Sequence, residues 1–380
     1  MEKFLPEICT IQYGFPFDSA KFSTSEGMPL IRIRDVVRGY SETFTTEEYK
    51  KEYVVNKDDL LIGMDGEFNI AKWGETPALL NQRVCRLIPT PEVDKNYLFY
   101  FMPNALKRIE EKTPFVTVKH LSAKELNKVK VPLPPLEEQR RIAAVLDKVS
   151  ELIAKRQAQL DKLDLLVKSR FVEMFGDLAA PECPHKKCKL VETCVSSDDI
   201  KCGPFGTQLS KEEYQDHGVA VWEIPQINSY FTTQPTHFLT VEKAEQLKAY
   251  SIIPGDIAMS RKGNVGRCAL FPDNFDSGII HSDVLRIRVD KQQVNPCFMM
   301  YQLHFSGAVQ RQIEVVSSGA IMAGVNVTKL KHIEIHLPDF DLQQQFAHFV
   351  GEVDRVKYSI NNSLEKLETL KKALMQQYFG

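Results

Sequence analysis

Val131-Pro132-Leu133-Pro134-Pro135-Leu136-Glu137-Glu138-Gln139-Arg140-Arg141-Ile142 opens a stretch, 131 to 176, that recurs at 335 to 380 with a constant offset of 204 and no gap. Twelve of the 46 paired positions are identical, among them Leu133/Leu337, Pro134/Pro338, Gln139/Gln343, Ala143/Ala347, Val149/Val353, Phe175/Phe379 and Gly176/Gly380. An internal repeat of this quality sets the organisation of a chain before any single element is assigned. The prolines end a preceding strand and admit a helix with acidic residues in its first turn, Glu137 and Glu138 in one copy and Asp341 in the other. Apolar residues then recur in steps of four and three: Ile142, Leu146, Val149, Ile153, Leu160, Leu163, Val167 and Met174, then Phe346, Val350, Val353, Ile360, Leu364, Leu367, Leu374 and Tyr378. That spacing is a heptad seam. Arg156, Arg170, Lys357 and Lys371 interrupt it, either reaching to a partner or laying their aliphatic stems along it. Gly176 and Gly380 stand where a helix stops. A helix of about 40 residues is roughly 60 Å long, too long for a lone surface helix, so the two seams most simply pack on each other.

Outward from the repeat, the preceding regions show a weaker kinship. Gly27-Met28-Pro29-Leu30-Ile31-Arg32-Ile33 resembles Gly218-Val219-Ala220-Val221-Trp222-Glu223-Ile224, a turn glycine leading into an alternating strand. Asn56-Lys57-Asp58-Asp59-Leu60-Leu61-Ile62-Gly63 matches Pro254-Gly255-Asp256-Ile257-Ala258-Met259-Ser260, a turn before a short buried strand. Gln82-Arg83-Val84-Cys85-Arg86-Leu87 pairs with Asp283-Val284-Leu285-Arg286-Ile287-Arg288, and helices follow near 95 to 112 and 295 to 315. The plan is a globular domain at 1–130, a helix at 131–180, a second domain at 181–334 and a second helix at 335–380.

Length and composition agree with two ordinary globular cores: 380 residues, 43% hydrophobic and 26% charged. No basic stretch followed by an apolar one opens the chain, and nothing approaches 18 uncharged apolar residues, so a cytoplasmic location is expected. The eight cysteines are then thiols. Cys183, His185, Cys188, Cys194 and Cys202 lie close together, but their spacings are loose for zinc, and free thiols in a connecting loop are expected. The net charge of -2 excludes a globally basic nucleic-acid binder, and each domain is itself balanced, with 19 basic against 19 acidic residues in 1–130 and 16 against 17 in 181–334. Contacts to a polyanion must come from local clusters. Catalytic motifs do not present themselves. Asn295-Pro296-Cys297-Phe298 lacks the second proline of an amino-methyltransferase motif and reads as a helix cap. The sequence carries no phosphate loop, nucleophile elbow or H-E-x-x-H pair. No catalytic residue is assigned.

Together these residues resemble the specificity subunits of type I restriction-modification systems. Ile11-Gln12-Tyr13-Gly14-Phe15-Pro16-Phe17 and Gly203-Pro204-Phe205-Gly206-Thr207-Gln208-Leu209 look like the openings of their target recognition domains, Leu30-Ile31-Arg32-Ile33-Arg34-Asp35 like the next strand, and 131–142 like the start of their helical regions. The resemblance covers essentially the whole chain. It implies an α+β fold in which two pseudo-repeated α/β target recognition domains are separated by two long helices packed as an antiparallel coiled coil. Each domain is expected to read one half of a split double-stranded DNA target, while the helix pair sets the spacer and docks two methyltransferase subunits; a restriction subunit is the further partner the resemblance implies. No cofactor is expected in this chain, S-adenosylmethionine belonging to the methyltransferase and ATP with magnesium to a restriction subunit.

DNA contact needs cations for phosphates, and Arg, Lys, Asn or Gln able to reach base edges. The first domain offers Arg32, Arg34, Asn69, Lys72 and Lys119, and the second offers Gln208, Arg261, Lys262, Asn264, Arg267 and His281. The loop Ser260-Arg261-Lys262-Gly263-Asn264-Val265-Gly266-Arg267 is the stronger candidate, with three cations, an amide and two glycines. The competing reading is a coiled-coil scaffold without a nucleic-acid role, which leaves two related but divergent domains unexplained.

Overall fold

The computed structural model describes residues 2–74, 76–113, 119–178, 180, 183–317 and 324–380. The chain forms two compact units, one made of residues 1–158 and 361–380, the other of residues 159–360. The two long helices, Leu136–Phe175 and Phe340–Phe379, each run 40 residues and each contribute to both units.

In the first unit a four-stranded antiparallel sheet has the order Cys9–Tyr13, Val84–Pro89, Leu60–Gly63, Asn69–Lys72. Helix Lys95–Lys112 lines the same core, contributing buried Tyr97, Leu98, Phe101, Met102 and Leu106 beside Leu60, Ile62 and Cys85. A second sheet, of five short strands, sets Met28–Ile31 parallel to Ala78–Leu80. Strand Glu2–Phe4 pairs with Lys130–Pro132, which leads into the first long helix.

The second unit repeats this plan. Its four-stranded sheet is Ile200–Cys202, Val284–Ile287, Ile257–Ser260, Cys268–Leu270, and Val219–Trp222 runs parallel to Gly278–Ile280 in the other. Strand Lys186–Lys189 pairs with Glu334–Leu337 ahead of the second long helix. Val84 opposes Gly63 and Val284 opposes Ser260, so Arg86 corresponds to Arg286, one residue away from the simple pairing of 82–87 with 283–288.

Two expectations need correcting. Leu30–Asp35 is not one strand: Met28–Ile31 is extended, and Ile33–Arg38 is a short helix. The Asp35 carboxylate accepts the Arg32 N–H at 2.9 Å, closing the first turn, and Gly39 ends the helix at φ 74°. The second unit does the same, with strand Val219–Trp222, helix Ile224–Asn228, and Gln226 accepting from the Glu223 N–H. The single helix near 295 to 315 is two helices, Pro296–Phe305 and Gly307–Ser317, separated by Ser306 in an extended conformation.

The long helices meet within each unit, the start of one beside the end of the other, which is antiparallel packing. In the first, Ile142, Ala143 and Leu146 share a core with Phe379, Leu374 and Tyr378. In the second, Phe346 packs against Phe171 and Phe175 with ring centroids 5.4 and 5.5 Å apart. None of the sixteen seam positions is exposed. Two of the polar interruptions reach across to the other long helix, Lys357 pairing with Asp164 and Arg170 lying over the Phe349 ring, while Lys371 lies over the Tyr100 ring of helix Lys95–Lys112. No helix among the described residues is long and apolar enough to cross a membrane.

The repeated glutamines tie each long helix to its own domain. Gln139 is 1% exposed; its carbonyl accepts the Asp94 N–H at 2.9 Å, and its amide donates to the Glu92 and Pro134 carbonyls. Gln343, also 1% exposed, accepts the Asn295 N–H at 3.0 Å and donates to the Pro338 carbonyl. Asp94 and Asn295 in turn cap helices Lys95–Lys112 and Pro296–Phe305, so Asn295-Pro296-Cys297-Phe298 is a capped helix start. Gln139→Leu leaves main-chain groups without a partner and is expected to cost about 1–3 kcal/mol; an unchanged urea midpoint would remove this joint from the account.

Candidate nucleic-acid interface

Three segments converge at one end of the four-stranded sheet in each unit, and main-chain bonds fix them in the same way. In the first unit, Met64 N–H donates to the Arg83 carbonyl at 2.9 Å, and Leu121 N–H donates to the Met64 carbonyl at 2.7 Å. In the second, Arg261 N–H donates to the Asp283 carbonyl at 2.8 Å, and Val325 N–H to the Arg261 carbonyl at 3.0 Å. The loops after strands Leu60–Gly63 and Ile257–Ser260 are therefore equivalent, with Met64 matching Arg261 and Arg83 matching Asp283.

Around the first loop, Lys119 is bound through its carbonyl to Gly66 N–H, while its ammonium lies 3.2 Å from Glu110. Asn69 is half-buried at the edge of Gly63, its amide donating to the Glu67 carbonyl and its Oδ1 without a partner among the described residues. Arg32 and Arg34 are exposed at the start of helix Ile33–Arg38, whose Ile33 also borders Gly63. Lys72 is held elsewhere, 3.9 Å from Asp147 of the first long helix and over the Phe99 ring. Sequence reasoning missed three members of this cluster: Asp65, Arg83 and His120. The His120 Nδ1 lies 2.5 Å from the Asp65 carboxylate and 3.2 Å from Arg83, and Arg83 is 3.7 Å from Asp65.

The second loop gathers more of the expected residues. The Arg261 guanidinium stands 4.8 Å from the Phe205 ring and donates to the Val325 carbonyl. Lys262 pairs with Asp283 at 2.8 Å, and His281 accepts the Asp283 N–H at 3.2 Å. Gln208 takes hydrogen bonds from Phe205 N–H and the Tyr250 hydroxyl. Asn264 is exposed on the same loop. Arg267 points to a separate flank, donating to the Asn228 carbonyl with its guanidinium over Tyr230. Tyr230 and Phe231 have φ of 51° and 59°, a left-handed conformation that costs non-glycine residues energy.

Other arginines are consumed by the fold. Arg86 bonds Gln12, Asp59 and the Val54 and Glu52 carbonyls. Arg288 makes two bonds to the buried Asp256 carboxylate, which raise its pKa, whereas burial and then the nearby Arg288 charge lower that of Arg286. The cysteines at 183, 188, 194 and 202 are free and half-buried, and among the described residues no group of three or more His, Cys, Asp or Glu side chains could hold a metal ion.

The family model for the type I restriction modification DNA specificity domain matches residues 1–163 and again 201–372. The chain belongs to this family. Among type I specificity subunits, that of EcoBI from Escherichia coli is 27% identical over 403 residues, covering 99% of this chain and 84% of the relative. The MjaVIII specificity subunit of Methanocaldococcus jannaschii is 22% identical, covering 91% of this chain and 87% of that protein. The crystal structure of the type I specificity subunit from M. genitalium shares the fold with a TM-score of 0.62 at 14% identity, covering 100% of this chain and 96% of that one. Membership of the type I specificity family makes DNA recognition for a restriction-modification system the role of this chain, in preference to a scaffold.

Proposed function

We propose that each unit reads one half of a bipartite double-stranded DNA target, through recognition domains at 1–130 and 181–334. The helices at 131–180 and 335–380 then set the spacer and dock two methyltransferase subunits, with a restriction subunit as a further partner. The observation that carries this reading is the doubled loop cluster: one backbone frame, built twice, bearing different polar side chains. A repeated frame with altered tips suits two readers of different base sequences better than one symmetric contact. Exposed Leu165 and Val172, seven residues apart on the first long helix, support a docking face for another polypeptide. The chemistry on this proposal is brought by the partners: S-adenosylmethionine with the methyltransferase, ATP and magnesium with the restriction subunit, in the cytoplasm, while this chain is non-catalytic and carries no cofactor.

Within the interface, we propose Arg32, Arg34, Asn69, Lys119, Gln208, Arg261, Lys262, Asn264 and His281 as DNA-facing, with Arg267 on a separate flank. Lys72 is the least suited, because it is held away from the loop cluster, by Asp147 of the first long helix and the Phe99 ring. Removing the two loop cations with Arg261→Ala and Lys262→Ala should weaken binding, and loss of the Arg261 phosphate contact should reduce the slope of log affinity against log salt by about 1. Affinity and slope both unchanged would take this loop out of the interface. The reading as a whole is tested by mapping modified adenines in cells carrying this chain with its methyltransferase. A two-part motif that disappears without the chain is expected; modification that persists at the same sites without it overturns the reading.

A further inference from the structure

The two units place an ion pair at the same point of the frame with its polarity reversed. Asp65 follows Met64 and Lys262 follows Arg261, so the loop position is acidic in one unit and basic in the other. At the strand entry the order inverts, Arg83 in the first unit and Asp283 in the second. The loop and entry groups face each other in both, Asp65 to Arg83 at 3.7 Å and Lys262 to Asp283 at 2.8 Å. Both cations stay open to solvent, Arg83 at 53% and Lys262 at 45% of the side chain, and a histidine borders each carboxylate, His120 at 2.5 Å and His281 at 3.8 Å.

Stability does not account for this arrangement. Pairs this exposed contribute little to folding, and Arg83 holds φ at 71°, where a long side chain is strained and glycine or asparagine would not be. Phosphate attraction does not account for it either, because a carboxylate beside each cation cancels the local charge and repels a polyanion. A carboxylate and a cation side by side do match one partner in the major groove. Cytosine offers an amino donor to a carboxylate, and the guanine paired with it offers O6 and N7 to Arg or Lys.

We propose that the pairs Asp65–Arg83 and Lys262–Asp283 are specificity determinants, each reading one C·G base pair, in the two units with the order of carboxylate and cation reversed. This rests on the bipartite reading above. In the free protein Asp65 is held by His120 with Arg83 3.7 Å away, and Asp283 lies 2.8 Å from Lys262; on the correct base pair both groups of a pair exchange partners, and on any other at least one is left unmatched. His120 is the positioning residue for the Asp65 carboxylate, while His281 holds Asp283 through its main-chain N–H.

The experiment uses the full chain assembled with its methyltransferase subunits and a genome-wide map of modified sites. Asp65→Lys with Arg83→Asp gives the first unit the polarity of the second. Inversion of a single C·G position in one half-site is expected, the other half-site being unchanged; Lys262→Asp with Asp283→Lys should invert one position in the other half only. Should a swapped chain not fold, Asp65→Asn and Arg83→Gln are expected to relax the same position by roughly 10-fold or more. A half-site without a C·G pair overturns the proposal, as does an unaltered motif, whether modification stays complete or falls evenly at all sites. Failure of the bipartite reading itself would show in the unaltered complex, as a missing or undivided motif.

Discussion

Phe346→Ala is expected to lower the stability of the unit formed by residues 159–360 by about 3–5 kcal/mol. Phe346 is wholly buried, and its ring meets three others: Phe171 and Phe175 from the end of the first long helix, and Tyr301 from helix Pro296–Phe305. Truncation removes the transfer gain of the ring and opens a cavity that rigid aromatic neighbours cannot collapse into. Phe171→Ala should do comparable damage, since that ring also touches Phe298 and Phe305. Urea unfolding of the isolated chain reads both effects. A loss under about 1 kcal/mol for Phe346→Ala would mean that the ring cluster does not join helix to domain in the way described.

The second large effect concerns target choice. On the proposal that the helix pair is the spacer, seven residues inserted into each long helix add about 10 Å to it, the length of roughly three base pairs at ~3.4 Å each. The heptad keeps each seam in phase to within about 20°, so Lys357 and Asp164 can still find their places. Mapped sites should then show the same two half-sites with an unread spacer longer by about three base pairs, and deletion of a heptad should shorten it correspondingly. Retention of the original spacing with full modification would end the ruler idea.

The helices were legible in the sequence because their packing imposes a period, and because inward residues resist change where they do the same work twice. Phe175 meets Phe298 at 4.8 Å in the second unit, and its repeat partner Phe379 meets Tyr97 at 5.3 Å in the first. The short helix after Ile31 was not legible: Arg32-Ile33-Arg34 alternates like a strand, and only the Asp35 cap and Gly39 turn reveal the helix. For the candidate interface, the glycine-rich loop with Arg261 and Lys262 stood out by composition. Asp65, Arg83, His120 and Asp283 did not, since each is an ordinary surface charge in its own segment and the cluster forms only when distant segments meet. One signal was present in the chain: with the register of the 82–87 and 283–288 segments moved by a residue, Arg83 falls opposite Asp283.

The joint made by Gln139 and Gln343 has a consequence for inheritance. Every group these two side chains hold is a peptide N–H or carbonyl, at positions 92, 94 and 134 in one case and 295 and 338 in the other. Peptide groups survive almost any substitution at their own residue, so the fastening is indifferent to what the attached domain spells. A gene exchange that replaced a whole reader between its flanking strands would arrive with the latch already in place.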